Sequence, residues 1–411
     1  MILLFLTSGL FLGWSLGAND ASNIFGSAVG TKMVSFRKAA IIASIAVISG
    51  AVLQGSGTTD TLEKLGAVNA LGGSFTLALA AAISVYLMTK FTLPVSTTQA
   101  IVGAIIGWNL FTGNRTDSAT LSKIFITWIS GPVLGALFAI LLYILITKFK
   151  KASGMHLIRF ESLIKIGLIV VGAFGAYSLG ANNIANVMGV FIPAFNLQDL
   201  NLGLFSLSSG QQLFLLGSLA IAVGIMTYSK KVMETVGANI VELTAEAALV
   251  VVLAGSLVLF IFSSTGLSDF FVKIGLPAIP MVPISSSQVV VGCVIGIGLY
   301  KGVRNINFKL LGEIALGWVA TPVMSGLFAF FSLFFIKNIF GIDVGHKIDE
   351  NLKPFDSGPI IPDENMSDII KYLLLGVVVA GLLTLFYFYL LERKKTRELK
   401  LSEEKFWKNM L

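Results

Sequence analysis

The chain has 411 residues, of which 55% are hydrophobic and 12% charged, with a formal net charge of +7 and a mean hydropathy of +0.87. This composition excludes a soluble globular protein and predicts an all-α polytopic membrane protein; a β-barrel would alternate polar and apolar residues, and this sequence does not. The single cysteine, Cys293, excludes a disulfide within the chain, and the sequence has no cluster of His and Cys that would suit a transition metal.

Apolar segments follow one another along the chain, and several are shorter than the roughly 20 residues that a straight span needs. They lie near residues 1–16, 39–53, 75–86, 101–110, 124–146, 163–179, 213–226, 247–262, 289–299, 314–336 and 372–391. We expect about 11 or 12 transmembrane segments, the short ones being broken helices or hairpins that line a cavity. The apolar N-terminus lacks the basic region of a signal peptide, so we interpret it as a span.

A first polar motif follows the N-terminal apolar segment and contains Asn19, Asp20 and Asn23. A carboxylate inside a membrane is costly and is therefore a functional hypothesis; the alternative is an aspartate that caps a helix near the surface. The spacing places the three side chains on one helical face. Their carboxylate and amide oxygens suit a hard cation such as Na⁺.

A second polar motif, Pro94 to Gly103, lies between apolar segments and contains Ser96, Thr97, Thr98 and Gln99. Proline suits the start of a helix and Ser or Thr its N-cap, so a helix is predicted to begin at 96–98. The free amide hydrogens and the dipole at such an end favour an anion. The alternative is an ordinary capped turn at the membrane surface.

Both motifs recur in the second half of the chain, in the same order. The recurring residues are Asn182, Asn183 and Asn186 for the first motif and Pro283, Ser285, Ser286, Ser287, Gln288 and Gly292 for the second. A further pair of anchors matches Trp128 and Pro132 with Trp318 and Pro322. Anchors in a conserved order indicate a duplicated chain.

The distribution of basic residues predicts the orientation. If each segment crosses once, 21 of the 29 lysines and arginines fall on one side, which is therefore predicted to be cytoplasmic. Each repeat crosses an odd number of times, so the two repeats have inverted topology. The predicted division is a first repeat at 1–150, a cytoplasmic linker at 151–162, a second repeat at 163–340, an extracellular loop at 341–368, and a C-terminal transmembrane helix with a basic cytoplasmic tail at 369–411.

The two GAN-x-x-x-N motifs and the two P-[VI]-S-[TS]-[TS]-Q motifs, in this order, resemble the inorganic phosphate transporter (PiT) family over residues 1–337. The resemblance implies a multi-pass protein of the plasma membrane that imports phosphate with Na⁺ or H⁺ by alternating access, without a cofactor, and it suggests a homodimer. It implies a phosphate site at Ser96, Thr97, Thr98, Ser285, Ser286 and Ser287. For sodium we expect Asn19, Asp20, Asn23, Asn182, Asn183, Asn186, Gln99 and Gln288.

Three features depart from the family pattern. Asn183 stands where many members have Asp, and Gln99 and Gln288 stand where many have His, which favours Na⁺ over H⁺ coupling. The approach to the second hairpin, 275–282, is also longer than that to the first. A proton-coupled phosphate permease, a sulfate permease and a passive anion channel remain as alternatives, whereas nothing resembles the activated nucleophile of an enzyme. The roles of Glu242 and Glu246, interior or interfacial, stay open.

Overall fold

The structure, a computed structural model, describes residues 2–90, 95–195, 197–201, 206–233, 244–302 and 308–346, together with Leu390. Within these residues the chain is almost wholly helical, apart from a short antiparallel pair in which Leu200 lies opposite Leu207 and Asn201 opposite Ser206. An all-α fold is therefore confirmed. Six of the described helices are long and apolar enough to cross a membrane, or up to seven if one bent pair counts as a span.

The first half of the chain forms six α-helices and a 3-10 turn. They are α1 (Ile2–Gly30), α2 (Phe36–Gln54), the turn Gly55–Thr58, α3 (Thr59–Leu65), α4 (Leu71–Lys90), α5 (Thr97–Thr112) and α6 (Ser118–Ser153). Asp117 caps α6 by accepting hydrogen bonds from the backbone N–H groups of Ala119 and Thr120. Asp117 thereby fixes where the longest helix of this half begins.

Within its described residues, the second half forms six further α-helices, a 3-10 segment and a short strand pair. It contains α7 (Leu157–Met188), the 3-10 segment Gly189–Ala194, strands β1 (Leu200–Asn201) and β2 (Ser206–Leu207), α8 (Ser209–Thr227), α9 (Ala245–Ile261), α10 (Thr265–Lys273), α11 (Ser286–Tyr300) and α12 (Phe308–Phe340). Helices α9 and α10 are bent by 69° at a short break. The second polar motif thus follows a broken helix, as the shortness of its apolar segments predicts.

The helical hairpins of the two halves open at opposite ends of the molecule. Helices α4 and α5 form a first hairpin whose open end lies against the chain that follows α12: the Trp108 indole donates a 2.8 Å hydrogen bond to the Val344 carbonyl, and Gly72 lies against Asp343. We call residues 69–73, 108–114 and 340–346 the first rim. At the far end of α6, the ring centroids of Tyr143 and Tyr300 are 5.9 Å apart.

We call the surface at this opposite end the second rim; it consists of residues 143–151, 245–246 and 300–301. Lys150 pairs there with Glu246, and Lys301 Nζ lies 4.8 Å from the Tyr143 ring. Helix α6 leaves the first rim and ends at the second, so the second hairpin, α9 to α11, opens at the other end of the molecule. This arrangement confirms inverted repeats. Glu246 is an interfacial partner of Lys150, whereas Glu242 lies outside the described residues.

The two repeats interlock through helices of opposite halves. A Cβ added to Gly103 of α5 would lie 2.1 Å from the Pro322 carbonyl oxygen of α12, and one added to Gly292 of α11 would lie 2.2 Å from that of Pro132 in α6. Only a residue without a side chain permits such an approach between membrane helices. The glycines and prolines singled out in the sequence are therefore contact points between the repeats.

One predicted segment, the linker, differs from the structure. The linker at 151–162 is mostly helical, because α6 continues to Ser153 and α7 begins at Leu157, so only residues 154–156 separate the helices. The charged side chains at 151–162 therefore lie on helix ends rather than in a loop. Of the predicted loop at 341–368, the structure describes 341–346, which pack on the first rim; the remainder and the 369–411 region lie outside the described residues except for Leu390.

Candidate functional site

Helix α1 carries its polar motif into the interior. Asn19, Asp20 and Asn23 are all buried, and the last two contact the hairpin of the second repeat. The Asn23 amide donates to Ser286 Oγ at 3.1 Å, and Ser286 Oγ donates to Asp20 Oδ2 at 3.2 Å. We call Asp20, Asn23 and Ser286 the α1 cluster. The alternative of a surface capping aspartate is excluded, since Asp20 lies inside a helix and is 1% exposed.

Helix α7 builds the corresponding arrangement with the hairpin of the first repeat. The Asn186 amide donates to Thr98 Oγ1 and to Asn183 Oδ1, both at 2.9 Å. Thr98 Oγ1 lies 3.5 Å from Asn183 Oδ1 and 3.3 Å from the Ile284 carbonyl oxygen. We call Asn183, Asn186 and Thr98 the α7 cluster. Each polar helix therefore meets the hairpin of the other repeat, which brings all four motifs together.

The first asparagine of each motif holds its own repeat's hairpin. Asn182 donates to the Ile284 carbonyl at 2.9 Å and accepts from the Ile284 N–H at 3.2 Å, as a neighbouring strand would. Asn19 donates to Thr89 Oγ1, near the end of α4, at 2.9 Å. Both amide atoms of Asn182 are thus used to position the backbone just before Ser285.

The hydroxyl motifs begin two helices, as their Pro-Ser sequence predicts. Ser96 caps α5 by accepting from the Gln99 N–H at 3.2 Å, and Ser285 caps α11 by accepting from the Gln288 N–H at 3.3 Å. The first turns carry Thr97 and Thr98 in one case and Ser286 and Ser287 in the other, all buried. Pro94 lies outside the described residues. Two positive helix ends therefore lie close to the asparagine clusters, the setting in which an anion binds.

Several buried oxygens of the site have no hydrogen-bond partner within the described part of the chain. They are Asp20 Oδ1, Asn186 Oδ1 and Thr97 Oγ1. A buried polar atom without a partner is costly, and such atoms mark positions where an ion, water or substrate completes the coordination. Among the described residues, Asp20 is also the one ionisable carboxylate with a fully buried side chain. The site therefore holds unsatisfied acceptors beside a carboxylate.

Gln99 and Gln288, predicted as sodium ligands, also line a cavity. Together with Trp128 and Trp318 they border a largely apolar space of 890 Å³ between α5, α6, α11 and α12, and none of the asparagines of the first motifs lines it. The two Gln Oε1 atoms and the two indole nitrogens are buried without partners in the residues that the structure covers. Both glutamines therefore bring unpaired polar atoms to an otherwise apolar cavity.

Sequence reasoning missed two contributors to the site. The Thr89 hydroxyl and the backbone of Ile284 both bind the first asparagine of a motif. Thr89 carries no recognisable signal, because a threonine near the end of an apolar helix is common. The backbone of Ile284 could have been suspected, since Pro283 at the preceding position limits helical structure and leaves backbone groups free.

Comparison with known proteins identifies the family. The sequence profile of the phosphate transporter family matches residues 16–329 and, in a second overlapping match, 279–410. The chain belongs to the phosphate transporter family. As a family member it is a phosphate transporter and a multi-pass membrane protein, and the resemblance found in the motifs is confirmed.

Curated relatives match about four-fifths of this phosphate transporter and nearly the whole of their own length. A protein of Thermococcus kodakarensis whose name describes a phosphate permease is 26% identical to this chain. The match covers 83% of this chain and 98% of that protein. Relatives with the same kind of name from Pyrococcus furiosus and Haemophilus influenzae are each 27% identical, over 80% and 81% of this chain. A solved structure described as the sodium-dependent phosphate transporter has a TM-score of 0.65 at 22% identity and covers 82% of this chain and 99% of that one, which shows a shared fold.

Proposed function

We propose that this phosphate transporter is a sodium-coupled symporter that imports inorganic phosphate across the plasma membrane by alternating access. The observation that carries the proposal is Asp20, a buried carboxylate with one unpartnered oxygen, placed one hydrogen bond from the first turn of α11. A carboxylate that stays ionised in a buried site requires a positive partner. The solved structure of similar fold is described as sodium-dependent, which agrees with Na⁺ as that partner.

In this proposal the anion lies between the N-terminal turns of α5 and α11. Its ligands are the hydroxyls and amide hydrogens of Ser96, Thr97, Thr98, Ser285, Ser286 and Ser287. Both helix ends direct partial positive charge toward the same space, so a doubly charged anion is stabilised electrostatically by both. Thr97 Oγ1, which is buried and has no partner in the described residues, is the hydroxyl most available to it.

In this proposal the cations bind in the α1 and α7 clusters, with Asp20 and Asn23 as ligands in one and Asn183 and Asn186 in the other. Amide and carboxylate oxygens suit Na⁺, and the site has no histidine to carry a proton. Asn19 and Asn182 act as positioning residues, because their amides hold the hairpins. A sodium-binding role of Gln99 and Gln288 stays a prediction. A homodimer stays a prediction.

Uptake into proteoliposomes tests the proposal. Purified protein should accumulate labelled phosphate when Na⁺ is high outside, and a proton gradient at equal Na⁺ should not replace it. Excess sulfate should compete poorly, because hydroxyls accept as well as donate and so distinguish protonated phosphate from sulfate. Uptake driven by a proton gradient alone would establish the proton-coupled alternative. Equal competition by sulfate would establish the sulfate permease, and flux that only follows the anion gradient would establish a channel.

A further inference from the structure

The two asparagine clusters occupy equivalent positions in the repeats but differ in charge. Asp20 corresponds to Asn183, and Asn23 corresponds to Asn186. Each cluster retains one buried oxygen that has no partner in the described residues, Asp20 Oδ1 in one and Asn186 Oδ1 in the other. Both therefore offer a place to a cation. The α1 cluster supplies a formal negative charge for it, and the α7 cluster supplies dipoles alone.

The neutral cluster is also the better satisfied of the two. Asn183 Oδ1 already accepts from the Asn186 amide at 2.9 Å and lies 3.5 Å from Thr98 Oγ1, while the Asn183 amide donates to the Leu179 carbonyl at 3.3 Å. A cation entering here meets the open Asn186 Oδ1 but no counter-charge. An uncompensated charge in a buried site is strongly disfavoured. A second cation in the α7 cluster consequently needs a negative charge from elsewhere.

The anion site provides that charge at short range. Thr98 belongs both to the α7 cluster and to the first turn of α5, where the phosphate is proposed to bind. A phosphate there lies beside the α7 cluster and neutralises a cation within it. The geometry points to an ordered site: the α1 cluster binds Na⁺ without phosphate, and the α7 cluster binds Na⁺ only together with phosphate, which acts as its counter-ion. This inference rests on the proposed sodium coupling.

Linkage makes the effect reciprocal. If phosphate raises the affinity of the α7 cluster for Na⁺, that Na⁺ raises the affinity for phosphate by the same factor. Replacing Asn183 by aspartate supplies the missing charge from the protein itself. In Asn183→Asp the second Na⁺ should therefore bind without phosphate, and the dependence of Na⁺ affinity on phosphate should fall by about tenfold or more, within the range usual for coupled sites.

Equilibrium binding of ²²Na⁺ to the purified full chain tests the order. Wild type should bind one Na⁺ per chain without phosphate and two with saturating phosphate, whereas Asn183→Asp should bind two in both conditions. Asp20→Asn should bind none in the absence of phosphate. Asn338→Asp adds the same charge at an exposed position at the end of α12 and should behave as wild type.

The outcomes separate this inference from the proposed function. Two Na⁺ bound by wild type without phosphate would overturn the ordered site and leave sodium coupling intact. A folded Asn183→Asp that still binds one Na⁺ without phosphate would also overturn it. Absence of Na⁺ binding by folded wild type in either condition would overturn both. If Asn183→Asp fails to fold, the wild-type and Asp20→Asn measurements alone still decide the order.

Discussion

At the scale of single residues, Asp20 combines burial with a formal charge, which no other described carboxylate does. Asp20→Asn keeps the size of the side chain and removes the charge, so Na⁺-driven phosphate uptake should fall by roughly two orders of magnitude, since losing one partner of a buried charge pair costs about 2–5 kcal/mol. Asp117→Asn is the matched control, because it removes an exposed charge and leaves a good N-cap. Uptake by Asp20→Asn with unchanged Na⁺ dependence would contradict the assigned role.

The hydroxyls of the first hairpin should separate into two kinds. Thr97 Oγ1 has no partner among the described residues, whereas Thr98 Oγ1 contacts Asn183, Asn186 and Ile284. Thr97→Val should raise the phosphate KM by about tenfold, because a hydrogen bond to a charged group contributes about 1.5–3 kcal/mol, with little change in thermal stability. Thr98→Val should raise KM and also lower stability. Thr97→Ser should restore the wild-type KM; if Thr97→Val leaves KM unchanged, the hydroxyl does not touch phosphate.

Residue types and spacing in the sequence were enough to locate this site but not to predict which contacts each of its residues makes. The Pro-Ser pattern places the N-caps Ser96 and Ser285 correctly, because capping depends on local sequence. The double hydrogen bond between Asn182 and Ile284 joins residues 102 positions apart. Nor does spacing show that Gln99 faces a cavity with Trp318. Those contacts depend on how the repeats pack, which no local pattern encodes.

At the scale of helices, the contact of each hairpin with the long helix of the other repeat depends on a missing side chain. Gly103→Ala would place a methyl group 2.1 Å from the Pro322 carbonyl oxygen, so the helices must separate. Overpacking of this kind costs about 1–3 kcal/mol. We expect the melting temperature to drop by several degrees and uptake to fall, because the first turn of α5 moves with the helix.

Gly312→Ala controls for the change of residue type. Gly312 also lies in a helix, α12, but a Cβ there meets nothing within 4 Å. Alanine favours helix more than glycine does, so this variant should keep or slightly raise the melting temperature. Equal destabilisation by the two substitutions would show that helix propensity, rather than the contact with Pro322, sets the effect.

Helix boundaries were less predictable than helix positions. The basic residues at 148–165 resemble a loop, yet α6 and α7 continue through most of them. Helices of 36 and 32 residues are about 54 and 48 Å long, longer than the roughly 30 Å hydrocarbon core, so their charged ends extend into water while remaining helical. Hydropathy marks where the membrane ends, not where the helix ends.

At the scale of the whole molecule, the two rims fix which parts of the chain share a side. The first rim joins residues near Arg115 to the chain after α12, and the second joins the end of α6 to Glu246 and Lys301. The excess of basic residues predicts that the second rim is cytoplasmic. The same rule places the 341–368 loop outside and the tail beyond residue 392 inside. Because the repeats are inverted, a wrong assignment would reverse every loop at once.

Cysteine labelling in intact cells tests this orientation with a small set of variants. In a Cys293→Ser background, which removes the single buried thiol, a membrane-impermeant maleimide should label Arg115→Cys from outside and leave Ser153→Cys unlabelled until the membrane is permeabilised. Both positions are exposed: Arg115 precedes α6, and Ser153 is the last residue of that helix, at its opposite end. Lys400→Cys should behave like Ser153→Cys. Labelling of Ser153→Cys but not Arg115→Cys in intact cells would place the second rim outside and overturn the predicted orientation.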